Sequence, residues 1–211
     1  NRGYVCALAN AIYMKADWVN KFEKEGTYKE TFTDINGDES EIDFMHQAAD
    51  FKYYENGDTK AVKLPYENGL SMVVVLGDTK NILNDIHNNK MTSKLVDVSL
   101  PKFKAEYSID YVNILKNMGI EKAFDNQNAD FSLMLENYPE RIKIDSVLQK
   151  AMIDVDEKGT EAAAATVAVV PKSALSVDEE VIEFRADKPF TYYVLDDSGN
   201  VYFAGRYVKA A

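Results

Sequence analysis

Residues Asp154 to Lys172 read D-V-D-E-K-G-T-E-A-A-A-A-T-V-A-V-V-P-K, and the reading of this stretch organises the rest of the chain. An acidic run ends at Lys158, Gly159 follows, and four alanines (Ala162 to Ala165) lead into a β-branched run that stops at Pro171. Two conformations compete. Alanine favours a helix, and Thr160 could cap it with Glu161 near the positive end. Thr166, Val167, Val169 and Val170 instead favour an extended segment. If the segment is extended, Thr160, Ala162, Ala164, Thr166, Ala168 and Val170 share one face. That face is small and uncharged, so it could slide over an apolar core with little desolvation cost.

The surrounding chain has the size and composition of an ordinary globular core: 211 residues, 46% hydrophobic and 28% charged. Its net charge of −11 argues against nucleic acid and anionic membrane surfaces as default partners. The single cysteine, Cys6, excludes an internal disulfide. No apolar run approaches the length of a membrane-spanning helix. The chain does not begin with methionine, which suggests a fragment boundary.

Strand signals dominate. Tyr4 to Met14 is apolar on both faces except at Asn10, which predicts a central, fully buried strand with a hydrogen-bonded amide. Tyr28 to Thr33, Glu41 to His46, Phe51 to Tyr54, Ala61 to Tyr66 and Leu70 to Leu76 read as strands. Several are separated by the turn signals Asn36-Gly37-Asp38, Asn56-Gly57-Asp58 and Glu67-Asn68-Gly69. Their spacing predicts a meandering antiparallel sheet without βαβ units. Two short helices are expected. One runs from Thr79 to Asn88 with Ile82, Leu83 and Ile86 inward. The other runs from Tyr111 to Met118 and is stopped by Gly119. Strands return at Leu95 to Leu100, Lys102 to Tyr107, Ile144 to Val155, Val181 to Phe184, Phe190 to Leu195 and Val201 to Val208. The fold class is therefore α+β, mostly antiparallel sheet, and Pro171 to Glu180 is the best candidate for an exposed loop.

Motifs for catalysis are scarce. The histidines, His46 and His87, belong to no H-E-x-x-H pattern. No C-x-x-C, G-x-S-x-G or phosphate-cradling loop occurs, so no motif speaks for a hydrolase, a cofactor or a metal. Asp154, Asp156 and Glu157 lack the ligand spacing of a calcium loop and read as a solvated acidic strand end.

Several runs, in order, resemble the serpin family of protease inhibitors. They are Asn10-Ala11-Ile12-Tyr13-Met14-Lys15-Ala16-Asp17-Trp18 (with Met14 in place of the usual Phe), Leu100-Pro101-Lys102-Phe103, Asp156 to Thr166, Phe184-Arg185-Ala186-Asp187-Lys188-Pro189-Phe190 and Phe203-Ala204-Gly205-Arg206. The resemblance covers essentially the whole chain. It implies the C-terminal part (1–211) of a single serpin domain, without the family's N-terminal helices, and a reactive-centre loop at about 158–180. It further implies a non-enzymatic inhibitor of serine endopeptidases that acts as a suicide substrate. A protease cleaves the loop, an acyl-enzyme forms, and the hinge Gly159, Thr160, Glu161, Ala162, Ala163, Ala164, Ala165, Thr166 inserts as a new strand between the strand near Trp18 and Ile144 to Asp156. Trp18, Lys102 and Glu157 would gate that insertion. Asn10 and Gln149 would face each other lower in the sheet, with Gln149 standing where many members carry histidine.

Counting seventeen residues from Glu157, the family's usual spacing, places the reactive bond at Ser173–Ala174. This suits an elastase-like or subtilisin-like protease, whereas the neighbouring bond Lys172–Ser173 would suit a trypsin-like one. The resemblance also implies an extracellular location and a capacity for loop–sheet self-association. The alternative is a non-inhibitory serpin-fold binding protein or chaperone. Such members tend to carry bulky, charged or proline residues where this chain has its alanines.

Overall fold

The structure is a computed structural model that describes residues 6–134, 142–160 and 181–210. The chain divides into two compact units, Asn1–Tyr13 with Ala105–Ile153, and Met14–Lys104 with Asp154–Ala211. Among the described residues no helix is long and apolar enough to cross a membrane.

The first unit is built on β1 (Cys6–Tyr13), which runs parallel to β9 (Ile144–Asp156) and places Asn10 opposite Gln149 and Tyr13 opposite Met152. β8 (Phe103–Asp110) also pairs with β9. Asp110 ties the next element to the same strand. Its Oδ1 accepts the Val112 and Val147 amides at 3.0 and 3.1 Å, and the Tyr111 amide donates to the Val147 carbonyl at 2.8 Å. The helix α2 (Val112–Asn117) starts there, one residue shorter at each end than expected, and Met118 just beyond it is 74% exposed. The expectation of a fully buried first strand is also overturned, because Leu8 and Asn10 of β1 are exposed. An apolar strand demands cover on both faces, but other elements must supply it. Among the described residues none covers these positions.

The second unit contains an eight-stranded sheet. Its strands are β3 (Tyr28–Thr33), β4 (Glu39–Asn56), β5 (Thr59–Pro65), β6 (Ser71–Leu76), β7 (Thr92–Pro101), β11 (Ile182–Arg185), β12 (Phe190–Leu195) and β13 (Val201–Tyr207). They lie in the order β11-β7-β4-β5-β6-β12-β13, with β3 beside the start of β4. Glu41 to His46 and Phe51 to Tyr54 are not separate strands. They belong to β4, which β7 pairs without interruption from Phe44 to Tyr53, so the polar residues between them stay extended. Hairpins form at the expected turns, with Gly37, Gly57 and Gly69 at positive φ.

The sheet is not a pure meander. β11 runs parallel to β7, as β1 does to β9, because in each case the partner strands are distant in sequence and no tight turn sets their direction. Phe103, Phe190, Tyr192 and Tyr207 form an aromatic cluster with ring centroids 5.2–5.7 Å apart. The first helix, α1 (Ile82–His87), buries Ile82 and Asp85, while Leu83 faces outward. Asp85 is held there by Tyr54 and Lys90, so a charged residue takes the inner position expected for Leu83.

Candidate functional site

Within the second unit, the chain leaves the end of β9 through a tight turn, Asp156-Glu157-Lys158-Gly159, and re-enters at once as a two-residue strand. This strand, β10 (Gly159–Thr160), lies between the end of β9 and β2 (Ala16–Asp17) and is antiparallel to both. Gly159 stands opposite Asp156 and Asp17, and Thr160 opposite Val155 and Ala16.

The turn is held by backbone and ring contacts. Asp156 Oδ1 accepts the amides of Lys158 and Gly159 at 2.9 and 3.2 Å. The Trp18 amide donates to the Lys158 carbonyl at 2.8 Å, the Trp18 indole Nε1 donates to the Asp156 carbonyl at 2.9 Å, and the Phe22 amide donates to the Glu157 carbonyl at 2.8 Å. Trp18 is buried, packed edge-on to Phe22 and stacked on Tyr66 at 4.2 Å. Tyr66 Oη lies 3.0 Å from Thr160 Oγ1, and Thr160 is 0% exposed. Burial raises the Tyr66 hydroxyl above its ordinary pKa, so it remains a neutral phenol at any ordinary pH.

Gly159 fits this slot because it has no side chain. Its φ is +150°, and a Cβ there would stand 2.1 Å from the Ala16 carbonyl oxygen and 2.6 Å from Asp17 Cα. Only glycine occupies such a conformation without strain, and only glycine lets the two backbones approach this closely.

Glu157 corrects the expectation of a solvated acidic end. It is 6% exposed, and its carboxylate meets Lys102 Nζ at 2.9 Å (Oε2) and 3.0 Å (Oε1). Burial pushes the Glu157 carboxyl up, but the Lys102 hydrogen bond and charge, with a backbone hydrogen bond, outweigh it and hold the group below the usual carboxylate range. Lys102 occupies the joint between β7 and β8, where its amide donates to the Asp43 carbonyl at 2.9 Å. Thus Trp18, Lys102 and Glu157, three residues far apart in sequence, meet around one turn. Asp156, the first residue of the Asp156 to Thr166 run, completes the turn, and Tyr66 and Phe22, to which no motif pointed, complete the site.

Residues 2–210 match the family model described as Serpin, serine protease inhibitor. The chain belongs to the serpin family. It is 36% identical over 216 residues to an uncharacterized serpin-like protein of Thermococcus kodakarensis, covering 94% of this chain and 48% of that protein. It also resembles the crystal structure of Serpin48, a highly specific serpin of the insect Tenebrio molitor, at 33% identity and a TM-score of 0.77, covering 97% of this chain and 56% of the other. Against the native state of the thermophilic serpin tengpin the identity is 29% and the TM-score 0.81, with 97% and 55% covered. The chain spans about half the length of the curated relatives it matches. The α+β serpin fold expected from the sequence is therefore the fold observed.

In this serpin the other expected positions fall out unevenly. Asn10 and Gln149 stand opposite each other in the β1–β9 register, but Asn10 is exposed, so the expected burial of its amide does not hold. Of the hinge, Gly159 and Thr160 are described. Glu161, Ala162, Ala163, Ala164, Ala165 and Thr166 lie outside the described residues, as do the candidate bond residues Lys172, Ser173 and Ala174 and the expected loop Pro171 to Glu180.

Proposed function

We propose that this chain forms the C-terminal part of one serpin domain that inhibits a serine endopeptidase as a suicide substrate. The observation that carries the reading is β10: the first two hinge residues already form a strand between β2 and the end of β9. Insertion then need only extend a ladder that has begun. The next pairs of β9, Met152 with Tyr13 and Ala151 with Ile12 of β1, are those that the incoming residues would separate.

The chemistry belongs to the protease. Its serine Oγ attacks the carbonyl carbon of Ser173, and the tetrahedral adduct collapses with loss of the Ala174 amine, which takes a proton from the protease histidine. An ester links the two proteins. The freed hinge then inserts, and each ladder hydrogen bond contributes roughly 0.5–1.5 kcal/mol net, on the order of 10 kcal/mol for a full strand. At about 3.3 Å per residue, insertion carries the protease tens of ångströms. The small uncharged face of Thr160, Ala162, Ala164 and Thr166 is what such a passage requires. The Glu157–Lys102 pair gates entry beside Trp18.

The test uses the full-length protein with an elastase-like and a trypsin-like protease, followed by denaturing gels and masses of the released C-terminal peptide. A gel-stable covalent complex is expected, with a released peptide that begins at Ala174. A peptide beginning at Ser173 would move the bond to Lys172–Ser173 and the partner to a trypsin-like enzyme. Clean cleavage without a complex would overturn inhibition and favour a binding protein on the same fold.

A further inference from the structure

Tyr66 is the residue of the hinge site whose role neither the family pattern nor the charge pattern explains. Its backbone is held independently of its hydroxyl. The Tyr66 amide donates to the Leu70 carbonyl at 2.9 Å, Tyr66 bridges Trp18 across the strand gap, and the flanking contacts Val19 amide to Pro65 carbonyl and Glu67 amide to Asp17 carbonyl are both 2.9 Å. Its ring lies flat on Trp18, 10° from parallel. Stack and backbone therefore aim one polar atom, Oη, at one target, the side chain of Thr160. Both groups are buried, so each would lose its hydrogen-bonding capacity if the other left.

We propose that the Tyr66 hydroxyl is a positioning group that seats Thr160 and thereby fixes the register in which the hinge enters the sheet. The inference rests on the inhibitory reading above and adds a residue to it. A strand that enters one residue out of register turns its small face to the wrong side. Gly159 alone cannot prevent this, because a glycine carries no side chain to read position. The Thr160 hydroxyl is the first side-chain group after the turn that can be recognised, and Tyr66 recognises it. Starting a ladder from a seated, correctly registered pair removes the slow initiating step. Insertion then outruns hydrolysis of the acyl bond.

Full-length Tyr66→Phe, Thr160→Val, the double variant and Thr160→Ser would be compared with wild type by two measurements. Hydrogen exchange of peptides spanning 156–160 reads the seat without any protease. Tyr66→Phe keeps the stack on Trp18 and is expected to accelerate exchange about five- to tenfold, the factor that one ordinary hydrogen bond represents. Thr160→Val should match it, the double variant should go no further, and Thr160→Ser should behave as wild type. The stoichiometry of inhibition should rise in the first three variants while the rate of initial protease association stays unchanged. Unchanged exchange in Tyr66→Phe, or additive effects in the double variant, would overturn the seat. Accelerated exchange with an unchanged stoichiometry would overturn its role in insertion. Absence of a complex from wild type itself would mean failure of the inhibitory reading, a result distinguishable from either.

Discussion

Replacing Gly159 by alanine tests the geometry of the lodged hinge most directly. The new Cβ would lie 2.1 Å from the Ala16 carbonyl oxygen, 2.6 Å from Asp17 Cα and 2.9 Å from the Trp18 amide nitrogen, all backbone atoms. These atoms have little freedom to retreat, since the Asp17 carbonyl accepts the Glu67 amide and the Trp18 amide is committed to Lys158. Two responses are open. If the residue stays, the φ of +150° costs an alanine about 1–3 kcal/mol before any overlap is counted. If β10 withdraws, the Trp18–Lys158 and Tyr66–Thr160 hydrogen bonds are lost at about 0.5–1.5 kcal/mol each, with the burial of Thr160 besides. Either route costs about 3 kcal/mol, near a hundredfold in the population of the lodged state.

Hydrogen exchange on the full-length protein should show the 156–160 segment about a hundredfold less protected in Gly159→Ala, with the large sheet of the second unit unchanged. Incubation with the target protease should shift the outcome from complex towards cleaved substrate. Unchanged protection together with an unchanged stoichiometry of inhibition would refute the reasoning. It would mean that the slot tolerates a side chain and that glycine there is not needed for lodging.

Other perturbations separate the neighbouring contributions. The Glu157 carboxyl is held below its ordinary 4.5, so its stabilising pairing is fully present above that value and is lost as the pH falls through the lower, folded-state value. Protection at 156–160, taken relative to the intrinsic exchange rate at each pH, should therefore fall in acid, and Glu157→Gln should remove that pH dependence while weakening the turn at neutral pH. Burial holds His46 below its ordinary 6.5, with Arg185 adding to the shift and Glu30 and Asp97 opposing it. The unfolded chain thus binds the proton more readily, and stability should fall as the pH drops from 6.5 through the folded-state value, then level off. Urea midpoints measured against pH should lose that slope in His46→Gln. Gly205→Ala would place a Cβ 2.3 Å from Tyr192 Oη, which is buried in the aromatic cluster. It should cost about 1–3 kcal/mol in a denaturant melt without altering exchange at the hinge.

Local sequence was a good guide to elements whose cause is local. The glycine turns at Gly37, Gly57 and Gly69 were legible because a positive φ selects glycine at little cost. β9 and the hairpin of β12 and β13 were legible from apolar runs bounded by turn residues. The division of β4 was misread, since Gln47-Ala48-Ala49-Asp50 has little strand preference of its own and is kept extended by the ladder to β7. The burial of β1 was misread because a run of apolar residues records a need for cover and not its presence. The two parallel pairings carried no local signal at all.

The hinge site divides the same way. The sequence by itself determined that one segment after a long strand is preceded by a glycine and, if extended, has one small, uncharged face, because side-chain volume, charge and backbone freedom are properties of single residues. Only the tertiary structure decided that Glu157 is buried against Lys102 and that Gly159 is pressed on the backbone of β2. It alone decided that Tyr66, stacked on Trp18, meets Thr160. Those properties arise from atoms as far apart in sequence as Ala16 and Gly159 brought within a few ångströms, and proximity is set by the packing of the whole unit.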